Sequence, residues 1–269
     1  TNAKATIQAA IDDAWEGSTR VLVSNGVYDV GGRPATETLT NRVLLGKGLV
    51  LHSVNGPDVT FIVGQSAYGG SNGDGAVRCV YMSTGTCLSG FTLMNGHTRR
   101  TYTEHCEGWP KYWTCWITDQ SQASGGGVWS ESSDNIVSNC VFLSNSAYLH
   151  GGGAINVRAV DSAFVSNYVE GSGGGTYGCD IYNCVVDGNV AGGNGGGMEG
   201  GSASNCHLSF NSAANGGGAF SAWLVNCTVA SNSGGQGGGG LSTTFDHCVV
   251  VGNTAYIGGG GFASTFENC

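Results

Sequence analysis

A repeat of 21–22 residues occupies the second half of the chain and constrains its fold more than any other feature. Three kinds of residue return in one register: a cysteine, an asparagine five positions later and a run of glycines. A fixed period of this length is typical of solenoid proteins. The cysteines are Cys140, Cys184, Cys206, Cys227, Cys248 and Cys269, with Ser162 at the vacant position. The asparagines are Asn145, Asn167, Asn189, Asn211, Asn232 and Asn253.

Alternating apolar residues within each repeat indicate short β-strands. A unit of 21–22 residues is too short for two packed helices, and its apolar residues do not follow helical spacing. Cys227 and Val229, for example, share one face of a strand. Rungs stacked at about 4.8 Å would bury such columns, so the sequence predicts an all-β, single-stranded parallel β-helix. One apolar column contains Phe142, Phe164, Val186, Leu208, Val229 and Val250.

The asparagine and glycine columns fit the corners of such a coil. Stacked asparagine amides can bond from rung to rung, each bond contributing about 1 kcal/mol net, and asparagine tolerates left-handed backbone. The glycines fit a second corner, where φ is positive or backbones approach closely. A flexible linker is the simplest alternative for 49 glycines, but linkers do not keep three columns in register. The glycine runs are 151–153, 173–175, 195–197, 216–218, 237–240 and 258–261.

The whole chain is predicted to form one domain. Ile7, Ile11 and Trp15 lie on one helical face, which predicts an N-terminal helix that closes the solenoid. Because the sequence opens without Met and stops in mid-repeat, we expect a fragment of a longer chain. Within residues 1–269 the predicted segments are a helical cap (1–19), less regular coils (20–95), an aromatic insertion (96–122) and regular ladder coils (123–269).

Charge and cysteine usage limit the partners and the compartment. The net charge of −9 disfavours nucleic acid, which would need a basic face on the protein. No apolar run is long enough for a membrane span. The cysteines and the Ser, Thr and Asn-rich exterior indicate an extracellular or bacterial cell-surface protein.

The eleven cysteines form a ladder set and a scattered set. Those of the ladder are predicted to be buried free thiols, although neighbouring rungs lie close enough for some to oxidise. Cys106 and Cys115 bracket a short aromatic loop and are predicted to form a disulfide; a Cys79–Cys87 pair is a second candidate. No CxxC occurs and the histidines are scattered, so neither a metal nor a cofactor is predicted.

The insertion at 96–122 is the predicted ligand-binding segment. It holds three of the ten basic residues and three of the six tryptophans, and it should project from the shaft as a loop. Aromatic rings beside charges suit sugar stacking or a protein contact. The alternative is that these rings pack on the shaft and cover an apolar outer face. The candidate binding residues are Tyr102, Trp109, Tyr112, Trp113 and Trp116.

Two sets of motifs resemble known families. Phe-x-x-Asn at 142–145, followed by Gly-Gly-Ala-Ile at 152–155, resembles the repeats of the chlamydial polymorphic membrane proteins. The opening helix followed by Val-Leu-Val-Ser-Asn-Gly-Val-Tyr resembles the start of many pectate-lyase-like proteins. These resemblances imply a right-handed parallel β-helix and a secreted or surface-displayed shaft of adhesin type. They do not fix an activity, because one fold carries many functions.

The sequence favours a non-catalytic structural or adhesive protein, with an enzyme as the alternative. The predicted partners are further copies of the chain, assembled end to end or laterally into filaments, or a surface glycan or protein ligand. A β-helix lyase or glycoside hydrolase acting on acidic glycans would need bases or paired carboxylates clustered on adjacent rungs. The regular rungs offer Asp187 and His207, with Arg158 two rungs from His207. This set is too thin to assign a catalytic residue.

Overall fold

The predicted parallel β-helix is confirmed by a computed structural model. It describes residues 4–14, 19–35, 39–46, 48–100, 103–107 and 114–269, with 103–107 and 114–118 described by their backbone. An α-helix, Ile7–Asp13, buries Ile7 and Ile11 against the core at the N-terminal end of the coils. The Thr6 hydroxyl caps this helix by accepting a 3.1 Å hydrogen bond from the Ala9 amide.

In the described residues, each coil contributes short strands to long parallel sheets. The first sheet contains Arg20–Val23, Val50–Ser53, Cys87–Ser89, Ile136–Ser138, Arg158–Val160, Asp180–Tyr182, Ser202–Ser204, Trp223–Val225, Thr244–Asp246 and Thr265–Glu267. The second contains Gly26–Tyr28, Thr60–Val63, Thr92–Met94, Val141–Leu143, Ala163–Val165, Val185–Asp187, His207–Ser209, Thr228–Ala230 and Val249–Val251.

Two further sheets complete the coil. The third begins with an antiparallel pair, Arg33–Pro34 and Thr40–Leu45, and is otherwise parallel. It continues through Val77–Met82, Val128–Ser130, Ala154–Ile155, Thr176–Tyr177, Met198–Glu199, Ala219–Phe220, Gly240–Leu241 and Gly261–Phe262. The fourth contains Ser146–Ala147, Tyr168–Val169, Val190–Asn194, Ser212–Asn215, Ser233–Gln236 and Thr254–Ile257.

An antiparallel hairpin interrupts the coils within the predicted insertion. Its strands are Thr103–Glu107 and Thr114–Asp119. Cys106 and Cys115 stand opposite each other in its backbone register, but the predicted disulfide concerns side chains outside the described residues. A 3₁₀ turn, Pro57–Val59, forms a separate short connection.

A buried asparagine ladder runs along the regular coils. The Oδ1 atom of Asn189 accepts hydrogen bonds from the backbone N–H and the side-chain Nδ2 of Asn167, both at 2.9 Å. The Nδ2 atom of Asn189 donates to Phe164 O at 2.8 Å and to Asn211 Oδ1 at 3.0 Å. Because the same pattern repeats from Asn145 to Asn253, each rung satisfies buried polar groups of the rung before it.

Left-handed backbone occurs beside the ladder asparagines, not at them, which differs from the sequence expectation. The residue before Asn145 has a φ of 52° and the residue before Asn167 has a φ of 54°. A second left-handed position precedes each ladder cysteine and is often asparagine, as at Asn183. The corner is therefore turned one residue earlier, and this leaves the ladder amide free to point into the core.

The glycine runs serve both purposes that the sequence predicts. The first glycine of a run is left-handed, with a φ of 62° at Gly151. The second and third permit close stacking, since a Cβ on Gly153 would lie 2.5 Å from the Gly175 carbonyl oxygen. Any larger residue there would push neighbouring rungs apart.

The ladder cysteines are free thiols. The backbone N–H of Cys184 donates to the Cys206 sulfur at 3.3 Å, and that of Cys206 donates to the Cys227 sulfur at 3.4 Å. The candidate disulfide between Cys79 and Cys87 is wrong, because both are free thiols. The two cysteines belong to different sheets: Cys79 is buried in the third sheet, and Cys87 is half-buried in the first.

Candidate functional site

The outer face of the third sheet carries a column of large side chains. Each regular strand of this sheet has two residues, of which the first points into the core, as Ala154 and Thr176 do, and the second points outward. The register aligns the outward residues rung upon rung, about 4.8 Å apart. The outward column is Tyr81, Trp129, Ile155, Tyr177, Glu199, Phe220, Leu241 and Phe262.

A cleft of about 520 Å³ lies over the first part of this column. Its floor is formed by Tyr81, Trp129, Ile155 and Tyr177. One edge is the end of the hairpin, residues 119–121. The opposite edge is the turn that follows the sheet. The edge residues are Asp119, Gln120 and Ser121 on one side, and Ser130, Glu131, Asn156 and Gly178 on the other. Below, "the cleft" means this site.

Chain order explains why the hairpin borders the cleft. The hairpin follows Thr92–Met94 of the second sheet and ends at Asp119, shortly before Val128–Ser130 of the third sheet. Its base therefore returns to the coil at the corner that leads onto the third sheet. This connection brings Asp119 to the same cleft as Trp129, although the two residues lie on different elements.

A buried arginine anchors that corner from beneath. Arg78 is 1% exposed and donates hydrogen bonds to Asn41 Oδ1 at 2.8 Å, to the Gly125 and Ser124 carbonyls at 2.9 Å, and to the Ser121 carbonyl. Burial lowers its pKa to about 9, so it remains a cation at neutral pH. These bonds tie the end of the hairpin to the third sheet.

The same guanidinium supports the aromatic floor. Its central carbon lies 5.9 Å from the centroid of the Tyr81 ring and 6.0 Å from that of Trp129. A guanidinium at this range is attracted to the negative face of an aromatic ring. Arg78 therefore holds both the floor and the hairpin edge of the cleft.

Both carboxylates of the cleft are fixed as hydrogen-bond acceptors. Oε1 of Glu131 accepts from the Tyr81 hydroxyl and Oε2 accepts from the Thr84 amide, each at 3.0 Å. Oδ1 of Asp119 accepts from the Ser121 amide at 2.8 Å. Burial, together with the hydrogen bond to Glu131, raises the pKa of Tyr81 to about 12, so its hydroxyl stays protonated and donates.

A titratable cluster adjoins the Tyr177 end of the cleft. The His150 ring stacks on Tyr177 with centroids 4.2 Å apart and an interplanar angle of 29°. Burial lowers the pKa of His150 to about 4, so its imidazole is neutral at pH 7. Burial also raises the pKa of Glu199, which receives a hydrogen bond from Ser172. The neutral imidazole extends the aromatic surface beyond the cleft floor.

The predicted binding residues lie mostly outside the described structure. Tyr102, Trp109, Tyr112 and Trp113 are outside it, and the Trp116 backbone pairs with that of His105 in the hairpin. The structure does describe the base of the same insertion, which borders the cleft. These aromatic residues therefore remain predictions as ligand contacts.

Of the residues weighed as a catalytic set, Asp187 and His207 lie diagonally on neighbouring strands of the second sheet, as predicted, whereas Arg158 lies on another sheet. His207 is exposed on the second sheet, and Asp187 accepts a 2.5 Å hydrogen bond from the Ser209 hydroxyl. Arg158 lies on the first sheet, next to Asp180 in register. Counting rungs along the sequence placed Arg158 two rungs from His207, but it did not distinguish between the sheets. Within the described ranges, no group of three His, Cys, Asp or Glu side chains is arranged to hold a metal.

Sequence reasoning missed the cleft residues. The signal available was the position after each glycine run, where Val128-Trp129, Ala154-Ile155 and Thr176-Tyr177 alternate small or apolar with large residues. Two-residue strands are too short to show this alternation on their own. Arg78 was a second signal, because it is a lone charge within the apolar segment 76–82.

Comparisons with known proteins leave the activity open. No protein-family model and no curated protein matches the chain. A pectin methylesterase in complex with a hexasaccharide aligns with a TM-score of 0.39 and 13% identity, over 92% of this chain and 77% of that one. The A-module of the mannuronan C-5 epimerase AlgE6 from Azotobacter vinelandii aligns with a TM-score of 0.36 and 14% identity, over 97% and 90%. Likeness at this level does not bear on what the chain binds.

In the ranges that the structure covers, none of the helices combines the length and the apolar character needed to cross a bilayer.

Proposed function

We propose that this chain is an extracellular carbohydrate-binding β-helix protein and that the cleft holds a segment of a glycan. The observation that carries the proposal is the aromatic floor of Tyr81, Trp129 and Tyr177, set between two polar edges. Pockets that bind small organic groups combine apolar walls with a few fixed polar groups. This cleft has that composition on a rigid, stacked scaffold.

The floor suits the apolar faces of sugar rings. Aromatic side chains offer flat apolar surface, and tyrosine and tryptophan add a polar handle at the ring edge. From Tyr81 to Tyr177 the floor spans three rung steps, which is about 14 Å. An extended oligosaccharide laid along the axis would therefore contact successive rings.

The edges suit sugar hydroxyls. Asp119 and Glu131 offer carboxylate acceptors, while Gln120 and Asn156 offer amides that both donate and accept. Arg78 and the Tyr81–Glu131 hydrogen bond hold these groups in place before a ligand arrives. Such preorganisation lowers the entropy lost on binding.

This proposal selects between the functions expected from the sequence. It retains a secreted or cell-surface shaft with an adhesive role and makes a glycan, rather than a second copy of the chain, its partner. The ligand would be bound by the shaft itself at the base of the insertion. The aromatic residues of 102–116 remain predicted ligand contacts within the same insertion.

Glycoside hydrolysis is the second candidate, because Asp119 and Glu131 face the same cleft from opposite edges. Hydrolases act through two carboxyl groups that flank the scissile bond, one of which donates a proton. Here both carboxylates accept hydrogen bonds from backbone amides. Catalysis would require one of them to become a donor, so binding without cleavage is the simpler function.

The test is titration of the purified protein with a panel of neutral, acidic and amino oligosaccharides by isothermal calorimetry. Trp129→Ala should weaken binding about tenfold or more, since central aromatic anchors dominate binding energy. Trp223→Ala is the matched control, because Trp223 is 59% exposed on the first sheet. Equal binding by wild type and Trp129→Ala, or binding to no glycan, would overturn the proposal. Chromatography of the same samples would show cleavage products if the hydrolase candidate is correct.

A further inference from the structure

We infer that the cleft selects a glycan bearing protonated amino groups, that is, an amino-sugar oligomer, over a glycan of uronic acids. This inference rests on the proposed glycan-binding function and adds the substrate class. It starts from the charges that face the floor. The described lining residues include Asp119 and Glu131 but no lysine or arginine.

The two carboxylates cannot turn away from a bound ligand. Glu131 is held at both oxygens by Tyr81 and Thr84, and Asp119 is held by the amide two residues later. Their positions on opposite edges place any sugar on the floor between two fixed negative charges. A cation there gains attraction from both sides, and an anion is repelled from both.

Among the described residues, the cation nearest the cleft is Arg78, and it does not reverse this balance. Arg78 packs against the Tyr81 and Trp129 rings, is 1% exposed, and directs four of its five N–H groups at Asn41 and at three backbone carbonyls. Its burial keeps the guanidinium away from a ligand carboxylate on the floor. In the described part of the site, two carboxylates against one buried guanidinium leave a formal charge of −1.

The floor adds to the preference for cations. The rings of Tyr81, Trp129 and Tyr177 line the cleft, and the negative face of an aromatic ring attracts an ammonium group. A uronate would instead bring its carboxylate against ring faces and acidic edges without a bidentate arginine partner. The shape of the cleft fits sugars in general, and its negative charge favours those that carry a positive charge.

The experiment compares three oligomers of equal length by isothermal calorimetry at pH 6 and low salt: glucosamine, N-acetylglucosamine and galacturonic acid. The acetylated oligomer is the matched neutral probe, because acetylation removes the positive charge and keeps the sugar backbone, while it adds a small acetyl group. We expect the amine to bind about tenfold tighter than its acetylated form, equivalent to about 1.4 kcal/mol. The uronate should bind weakest, and the amine's advantage should shrink as salt rises from about 20 to 200 mM.

Two charge-removing variants locate the effect. Glu131→Gln keeps an acceptor for Tyr81, and Asp119→Asn serves if the first variant does not fold. Each should reduce the amine's advantage about threefold to tenfold and leave affinity for the acetylated oligomer within about twofold. Asp58→Asn, at the exposed 3₁₀ turn Pro57–Val59, removes the same charge elsewhere and should change neither.

The outcomes separate the inference from the function on which it rests. Tightest binding of the uronate, or equal affinity for amine and acetylated oligomers, overturns the charge preference and leaves glycan binding intact. The inference is also overturned if the amine preference changes equally in Glu131→Gln, Asp119→Asn and Asp58→Asn. The preference would then depend on the net charge of the protein and not on the cleft. Binding of none of the three probes overturns the inference together with the proposed function.

Discussion

The hydroxyl of Tyr81 donates a 3.0 Å hydrogen bond to Glu131, a residue fifty positions further along the chain. The two residues stand on neighbouring rungs, one on the floor of the cleft and the other on its edge. A single bond thus joins the aromatic surface to the carboxylate that faces it. The orientation of the Glu131 carboxylate therefore depends on the position of the Tyr81 hydroxyl.

Tyr81→Phe should weaken glycan binding while preserving the fold. The change removes one hydrogen bond to a charged group, so the free energy of unfolding should fall by about 1–3 kcal/mol. Without this bond the Glu131 side chain is no longer held in place before the ligand arrives. Ordering it on binding should then lower the affinity for the glycan. Calorimetric titration and urea denaturation measure the two effects. Tyr182→Phe, on the exposed face of the first sheet, is the control. Unchanged affinity in Tyr81→Phe would contradict the role given to this bond.

Arg78→Met should loosen the hairpin base. Methionine fills part of the volume but leaves the carbonyls of Ser121, Ser124 and Gly125 without a donor. We expect a loss of about 3 kcal/mol or more in the free energy of unfolding. Limited proteolysis should show new cleavage near 119–124. Arg20→Met, an exposed strand residue, should show neither change. Resistance equal to that of the wild type would show that the hairpin base is held by other contacts.

Asn189→Ala should be among the most destabilising single changes in the ladder coils. It removes four hydrogen bonds and strands the Asn167 amide groups in the core. The cost should be about 3 kcal/mol or more, because unsatisfied buried polar groups carry their full desolvation penalty. Guanidinium denaturation measures it. Asn55→Ala removes an exposed asparagine pair and should cost under about 1 kcal/mol. Similar losses in both variants would refute the ladder's contribution.

The buried ladder thiols should resist alkylation at pH 8 in the native protein. Burial raises the pKa of the ladder thiol Cys140 to about 12, and that of Cys179 outside the ladder likewise, so both remain thiols, which are poor nucleophiles. Exposed Cys269 should react first, followed by half-buried Cys87. Iodoacetamide labelling followed by peptide mass spectrometry gives the order, and guanidinium should expose all of them. Rapid native labelling of Cys140 would contradict the packing described.

Stability should fall as the pH drops below about 6.5 because of His150. Burial lowers its folded pKa to about 4, so the unfolded chain binds a proton first and is favoured between about pH 6.5 and 4. His150→Phe keeps the stacked ring on Tyr177 and should flatten this part of the profile. The pKa of Glu199 is raised by burial, and its contribution has the opposite sign. The shift in denaturation midpoint between pH 7 and pH 5 is measured in the wild type and in His150→Phe. The difference between these two shifts therefore isolates the contribution of His150. An identical pH dependence in both proteins would count against this assignment.

The regular coils could be predicted from the sequence because their information is local and repeated. Asn167 and Asn189 are equivalent in sequence and in space, so one period fixes strand order, register and the buried columns. Phe142 and Phe164, adjacent in their column, stack with ring centroids 4.5 Å apart. Repetition thus converts a weak pattern in one coil into a strong one.

The cleft could not be predicted in the same way. It forms where residues from the hairpin base, Asp119 to Ser121, meet rings from several rungs of the third sheet. None of these contacts repeats, and Arg78, which supports them, bonds across 37 to 47 positions. The aromatic content of the insertion predicts a ligand site in the segment whose base borders the cleft. The position of the insertion's base depends on which sheet the chain enters after the hairpin. The repeat period does not specify that sheet.

The asparagine ladder also gives the shaft an electrical direction. From Asn167 to Asn253 each Oδ1 accepts from the asparagine of the preceding coil, and from Asn145 to Asn232 each Nδ2 donates to the Oδ1 of the next. The amide dipoles of this column therefore point the same way and add, as peptide dipoles do along an α-helix. The two ends of the solenoid are electrostatically distinct, with the positive ends of the side-chain dipoles directed toward the C-terminal coils.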